Sequence, residues 1–268
     1  MDVLSSVVSS PNLTSHEYHE TVGPAVEAES KATSSDPALL ALDAAHTLAF
    51  HSGLGNPLFT PVPQGSLSVE DVRDFANKAF TKENVVALGH GISTQVLSSL
   101  VQKGLSGLRT QSGVQSIGTK YYGGETRIET DASTPTVFIG FGTDRPSAGL
   151  GALAAYLDPT PLLKWTKGRS PLAEVGSDAS VRVVHETYSD GALVGVLVQG
   201  RSGEAVRDAG KVVVEALKSA GELGKEGWEK AVRKAQFRAA SALEGQGTSF
   251  AAVASEVRGV AIWMCGEN

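Results

Sequence analysis

An α+β fold in two domains is the architecture this sequence predicts, on three observations. Helix-start signals (a capping residue followed by an apolar stripe at helical spacing) recur along the chain. The strand-like runs are short, Val-rich and mostly separated by tight turns, which favours antiparallel pairing. Strands and helices do not alternate in the regular way that a parallel α/β sheet requires. Composition agrees: hydrophobic residues make up 41% and charged residues 19% of 268, enough for a sizeable core. Aromatics reach only 6% while Gly numbers 30, so small residues carry much of the packing.

Residues 1–9 read as a helix ended by Pro11-Asn12. Thr14 with Glu17 three residues on predicts a capping box and a helix to about Lys31. Asp36-Pro37 repeats the start signal, and Leu39, Leu40, Ala44, Leu48 and Ala49 form the stripe that follows. Residues 53–65, with three Gly and three Pro, are a loop. Ser68 with Asp71 caps the next helix, whose face is Val69, Val72, Ala76 and Ala79. Residues 84–89 predict a buried strand, and Ser93 caps a helix carrying Val96, Leu97, Leu100 and Val101 inward.

Residues 110–118 are polar, Gly-containing and aperiodic, and read as a linker between domains at 1–109 and 119–257. Strands are expected at 120–128 and 136–141 around a turn through Asp131. Pro146 opens a small-residue helix to Tyr156, and Pro159, Pro161, Gly168 and Pro171 mark a long loop. A hairpin is expected from 181–186 and 192–199 around Ser189-Asp190-Gly191. Two charged helices follow. The first buries Ala205, Ala209, Val212 and Ala216, with Val206, Val213, Leu217 and Ala220 beside them. The second presents Trp228, Val232, Ala235, Ala239 and Ala242, a core face rather than a groove.

Several function classes are excluded or disfavoured. Net charge is −6, and residues 1–113 hold 6 basic against 11 acidic side chains, so nucleic acid is not an expected partner. No apolar run approaches the roughly 20 residues of a membrane span. The first ten residues carry an acid and no base, unlike a secretory signal or a transit peptide. The single Cys265 supports neither a disulfide framework nor a cysteine zinc site.

The six His are the natural place to look for chemistry. His16 and His19 lie beside Glu17 and Glu20, but a helical zinc peptidase needs H-E-x-x-H or H-x-x-E-H, and neither spacing is met. They read as a solvated helix start, with His16 near Glu20 for a weak pair. His46 and His51 suit the C-terminal dipole of their helix, His90 follows a strand, and His185 belongs in one. None has a partner at ligand spacing. Gly149-Leu150-Gly151 lacks both the third Gly of a dinucleotide loop and the Lys-Ser/Thr of a P-loop. With Gly140 and Gly142 it reads as close strand–helix packing. His185, Ser189 and Asp190 have the residue types of a triad, but without G-x-S-x-G they read as a hairpin turn. No residue is assigned a catalytic, metal-ligating or cofactor-binding role.

Longer motifs add a resemblance. Tyr122-Gly123-Gly124-Glu125-Thr126-Arg127-Ile128 and Tyr188-Ser189-Asp190-Gly191-Ala192-Leu193 resemble segments of the second domain of pitrilysin/insulinase-like metallopeptidases. Leu13-Thr14-Ser15-His16-Glu17-Tyr18, Ala41-Leu42-Asp43-Ala44-Ala45-His46 and Phe50-His51-Ser52-Gly53-Leu54-Gly55-Asn56-Pro57-Leu58 are similar to the mitochondrial branch of that superfamily. So is Leu150-Gly151-Ala152-Leu153-Ala154-Ala155-Tyr156-Leu157. The specific likeness is to the core subunit 2 family of fungal ubiquinol–cytochrome c reductase, over about residues 1–257.

The resemblance implies a metallopeptidase-like two-domain arrangement, helices on mostly antiparallel sheets, with the first domain incomplete. It implies a non-catalytic structural subunit of respiratory complex III, without cofactor or metal. The place implied is the matrix side of the mitochondrial inner membrane. The partners implied are core subunit 1 and the cytochrome b and c1 subunits. The alternative it leaves open is a degenerate or non-catalytic subunit of the mitochondrial processing peptidase. Family members extend further at both ends, and the tail 258–268 matches nothing expected of them. An unspliced intron would account for that tail, and a spliced transcript encoding it would exclude the idea. Open sheet edges and uncovered apolar faces would make the isolated chain aggregation-prone.

Overall fold

The computed structural model describes residues 2–59, 67–110, 118–130, 133–161 and 170–245. The expected linker core at 111–117, the turn at Asp131, most of the 159–171 loop, and Cys265 with the tail lie outside these residues. The helices are α1 (Asp2–Ser9), α2 (Ser15–Glu17), α3 (Gly23–Ser34), α4 (Pro37–Phe50), α5 (Val69–Ala79), α6 (Thr94–Gly104), α7 (Ala148–Leu157), α8 (Gly203–Gly221) and α9 (Lys225–Glu244). The strands are β1 (Thr136–Thr143), β2 (Ala179–Thr187) and β3 (Ala192–Gly200). Described residues of Met1–Ala28, Val62–Ser116 and Gly245–Asn268 group into one compact unit, those of Glu29–Pro61 and Ile117–Glu244 into another. Residues 29–61, which the chain-order division assigns to 1–109, thus group with the sheet, because α4 packs on β1 and β3.

In the first unit the helix starts divide. Ser68 and Asp71 form the expected capping box: the Ser68 hydroxyl accepts from Asp71 N–H at 3.2 Å, and Asp71 accepts from Ser68 N–H at 2.8 Å. Thr14 and Glu17 do not. The Thr14 hydroxyl instead donates to the Glu17 carboxylate at 2.5 Å, and α2 gives way after three residues to a π-helical turn (Tyr18–Val22). That turn shifts the hydrogen-bond ladder by one residue and delivers Tyr18 OH to Leu67 C=O at 2.9 Å. The 84–89 strand is not formed. A strand exists by pairing, and the described residues of this unit offer it none. What remains is one parallel bridge, Thr81 to Arg109, and Gly89 set so tightly beneath α6 that a Cβ would stand 2.9 Å from Leu97.

The second unit is built on β1-β3-β2, antiparallel throughout. The hairpin forms as expected, with Tyr188 N–H donating to Gly191 C=O at 2.8 Å. β3 is central and buried at every position but Gln199, which explains its unbroken apolar run. Val196 and Val198 face α8, where Val206, Ala209, Val213 and Ala216 join Leu157 and Leu172 in the main core. Leu193 faces the other way, onto Ala49 and Phe50 of α4. The sheet is therefore sandwiched between α4 and a layer of α7 and α8. Segment 120–128 has no assigned secondary structure and joins no ladder among the described residues, so of the two strands expected around Asp131 the described residues form β1 and not the first.

Two further expectations are corrected. Gly140 pairs directly with Gly195, and a Cβ on it would stand 2.4 Å from Val194 O and 2.7 Å from Gly195 Cα, so its constraint is strand on strand. A Cβ on Gly142 would meet the Tyr121 ring at 2.7 Å, whereas Gly149 and Gly151 have ordinary clearance. On α9 the buried residue is Ala231, while Val232 and Ala239 are exposed. The stripe is rotated because Lys234 and Arg238 reach the end of α7. Lys234 Nζ donates to Asp158 C=O at 2.7 Å, and Arg238 pairs with the Asp158 carboxylate, cations placed where a helix leaves its carbonyls unsatisfied.

Asp36 caps α4 as read, accepting from Ala38 N–H at 2.8 Å and Leu39 N–H at 3.4 Å. Asp36→Ala is expected to destabilise by about 1 kcal/mol, seen as a lower urea midpoint with unchanged slope.

Candidate functional site

The most concentrated polar cluster joins α4 to the hairpin. His46 is four residues from the end of α4, and Glu186 and Tyr188 stand where β2 runs into its turn. His46 Nδ1 lies 2.8 Å from Leu42 C=O, and Nε2 lies 2.8 Å from Tyr188 OH and 3.0 Å from Glu186 Oε2. Tyr188 OH donates to the same carboxylate oxygen at 2.7 Å.

The partners dictate the protonation. A carbonyl only accepts, so Nδ1 carries a proton; an ionised carboxylate only accepts, so Nε2 carries one too. This arrangement favours the imidazolium form of His46. The Glu186 hydrogen bond raises its pKa, burial opposes this, and the Leu42 carbonyl and the Glu186 and Asp43 charges add to the rise. Glu186 is held below its ordinary value chiefly by His46. Burial, then the Glu186 hydrogen bond, push the Tyr188 phenol well above its ordinary range, so it stays protonated.

This chemistry is that of a clasp. Every donor is spent on a protein acceptor, and the cluster offers two metal-ligating groups at most. Among the described residues no group of three or more His, Cys, Asp or Glu could hold a metal ion. His16 and His19 are exposed, and His19 meets Tyr18 edge-on at 5.3 Å. His51 ends α4 with φ 60 and stacks on Tyr122 at 4.3 Å, while His46 is turned to the sheet, so neither serves the helix dipole as expected. His185 lies in β2 as read, its pKa lowered by burial.

The supposed triad residues are tethers. Asp190 accepts from Thr119 N–H at 2.9 Å and from the Thr119 hydroxyl at 2.7 Å. Ser189 donates to Asp190, at 3.3 Å. Tyr188-Ser189-Asp190-Gly191 thus pins the hairpin to α4 through Tyr188 and the start of 118–130 through Asp190. No local spacing reveals the cluster, because His46 stands 142 residues from Tyr188; the Tyr-x-Asp-Gly motif is the signal in the sequence that points to it.

The clasp predicts a pH dependence. A His whose pKa is raised on folding contributes stability fully below its unfolded value, 6.5, and loses it as pH rises through the folded value. A Glu whose pKa is lowered contributes above 4.5 and loses it as pH falls. Their joint contribution is largest between these values. Glu186→Gln is expected to lower the His46 pKa, read by NMR titration of its ring protons. It should cost about 1 kcal/mol at pH 5.5, since Glu186 is partly exposed and screened.

No family model matches the chain. Over 254 residues it is 38% identical to cytochrome b-c1 complex subunit 2, mitochondrial, of Cryptococcus neoformans var. grubii, covering 91% of this chain and 58% of that protein. The protein of the same name from Yarrowia lipolytica is 32% identical over 263 residues, 96% of this chain and 62% of its own length. The chain is thus similar over more than nine-tenths of its length to two fungal proteins named cytochrome b-c1 complex subunit 2. It spans about three-fifths of the length of these curated relatives.

The fold is that of the M16 peptidases. A peptidase M16 inactive domain from Pseudomonas fluorescens superposes with a TM-score of 0.68 at 14% identity, covering 94% of this chain and 61% of that one. A protease from Helicobacter pylori gives 0.67 at 16%, over 93% and 64%. The α+β, metallopeptidase-like class read from the sequence is the class observed. Among the described residues no helix is long and apolar enough to cross a membrane.

Proposed function

We propose that this chain is a non-catalytic structural core subunit of the mitochondrial cytochrome b-c1 complex, the ubiquinol–cytochrome c reductase of the respiratory chain. It supports electron transfer from ubiquinol to cytochrome c by assembling the complex. It sits on the matrix side of the inner membrane, against core subunit 1 and the cytochrome b and c1 subunits, and carries no cofactor of its own. The observation that carries this reading is the identity to subunit 2 proteins across more than nine-tenths of the chain. The His46–Glu186–Tyr188 cluster supports it, because its polar groups are committed to one another rather than to a substrate.

Detergent-solubilised inner membranes, separated by native electrophoresis, test it. Peptides from residues 1–257 should be found by mass spectrometry in the band holding cytochrome b. Recovery of those peptides with a presequence-cleaving, chelator-sensitive activity and without cytochrome b overturns the proposal.

A further inference from the structure

Lys234 differs from two neighbouring lysines in what its amine meets. Lys211 Nζ reaches the Asp208 carboxylate and Lys230 Nζ the Glu226 carboxylate, each at 2.7 Å, with side chains 66% and 70% exposed. Lys234 lies one turn beyond Lys230 on α9 and is half-buried where that helix meets the end of α7. Its Nζ donates to a carbonyl, that of Asp158, at 2.7 Å. The carboxylate of the same residue is engaged elsewhere: Arg238 pairs with it, and Thr160 N–H donates to its Oδ1 at 2.8 Å. Helix α7 itself contributes no charged side chain. The amine therefore faces a neutral acceptor with a guanidinium one turn along the helix.

That setting does not require an ammonium. A carboxylate partner holds a lysine charged, whereas a carbonyl accepts a single N–H and a neutral amine supplies it as well. Burial, then the Arg238 charge, hold the Lys234 pKa below the ordinary lysine value, and the Asp158 charge opposes them. Desolvation and a nearby cation are the two conditions that leave a lysine amine free to act as a nucleophile. Phe237, three residues on and 50% exposed, offers apolar surface on the adjacent stripe of α9.

We propose that Lys234 is an acylation site, its Nζ accepting a short apolar acyl group from a thioester. The amine lone pair attacks the thioester carbonyl carbon. The C–N bond forms as the C–S bond breaks, and the departing thiolate takes up the proton that the nitrogen sheds. The resulting amide keeps one N–H, so the hydrogen bond to Asp158 C=O is retained while the charge beside Arg238 is lost. The site depends on the α7–α9 contact alone and holds whether or not the chain assembles into a respiratory complex.

Acylation of the full chain tests it. The probe is the butyryl thioester of N-acetylcysteamine at pH 8, with each lysine followed by peptide mass spectrometry. Lys234 should react at least about threefold faster than Lys211 or Lys230, although both are more exposed, because each unit of pKa lowering raises the neutral fraction about tenfold. In urea the three rates should converge. Arg238→Gln frees the Asp158 carboxylate to hold the Lys234 ammonium and should slow Lys234 to the rate of Lys230, while Arg238→Lys should restore it. If Arg238→Gln loses its native circular dichroism, the pH profile of the unaltered chain decides: the rate at Lys234 should reach half its maximum at a lower pH than the rate at Lys230. Four results overturn the proposal: no advantage at Lys234, an advantage that persists in urea, one that survives Arg238→Gln in a folded variant, or half-maximal rates at the same pH.

Discussion

Phe50→Ala is expected to destabilise the sheet-bearing unit by about 3–5 kcal/mol, the cost of emptying a fully buried aromatic site. Phe50 is 1% exposed, the last residue of α4, and packs with Ala49 and Leu193 while Leu54 and Phe138 close around them. Its surroundings cannot collapse to fill the void. A Cβ on Gly142 would meet the Phe50 ring at 3.2 Å, and one on Gly55 would meet the Phe50 backbone carbonyl carbon at 2.9 Å, so the chain already closes on both sides. Losing the ring also loosens α4 from the hairpin, and with it the His46 clasp. Urea unfolding followed by circular dichroism reads the effect as a lower midpoint with an unchanged slope. Phe75→Ala is the control: Phe75 is 65% exposed, and its loss should stay within about 0.5 kcal/mol. Equal effects of the two substitutions would mean that α4 does not hold the sheet.

Gly195→Val is expected to cost at least about 3 kcal/mol, through overpacking rather than a void. Gly195 lies mid-β3 opposite Gly140, with Phe138 folded over the pair. A Cβ there would stand 2.5 Å from Phe138 Cζ, 2.7 Å from Ile139 O and 2.8 Å from Gly140 Cα. The Phe138 ring can swing aside, but the two backbone atoms cannot without parting β1 from β3. Hydrogen exchange should therefore rise along β1 ahead of β2, in addition to the fall in global stability. Gly149→Ala is the counterpart. Its nearest neighbour would be Ser147 Oγ at 3.5 Å, and it lies in the first turn of α7. Removing a helical glycine there should leave stability unchanged or raise it by up to about 1 kcal/mol. Equal losses at both positions would refute the distinction between a packing glycine and an incidental one.

The contrast between those two glycines shows how much of the molecule could be read from the chain alone. Local devices were legible because their partners lie within a few residues: the Asp36-Pro37 and Ser68–Asp71 helix starts, the 188–191 turn, and the α8 stripe of Val206, Ala209, Val213 and Ala216. The fold class followed from the order of these devices. What could not be read depends on neighbours distant in the chain. Segments 84–89 and 120–128 have strand-like composition, yet strand formation needs a hydrogen-bonding edge, and composition does not say whether one is present. His46, Glu186 and Tyr188 became a charged clasp only when α4 was laid against the hairpin. Lys234 and Arg238 turned inward only because the end of α7 offered them Asp158. Propensity and capping act over one turn of chain; pairing, burial and proton placement are decided by what folding brings within about 3 Å.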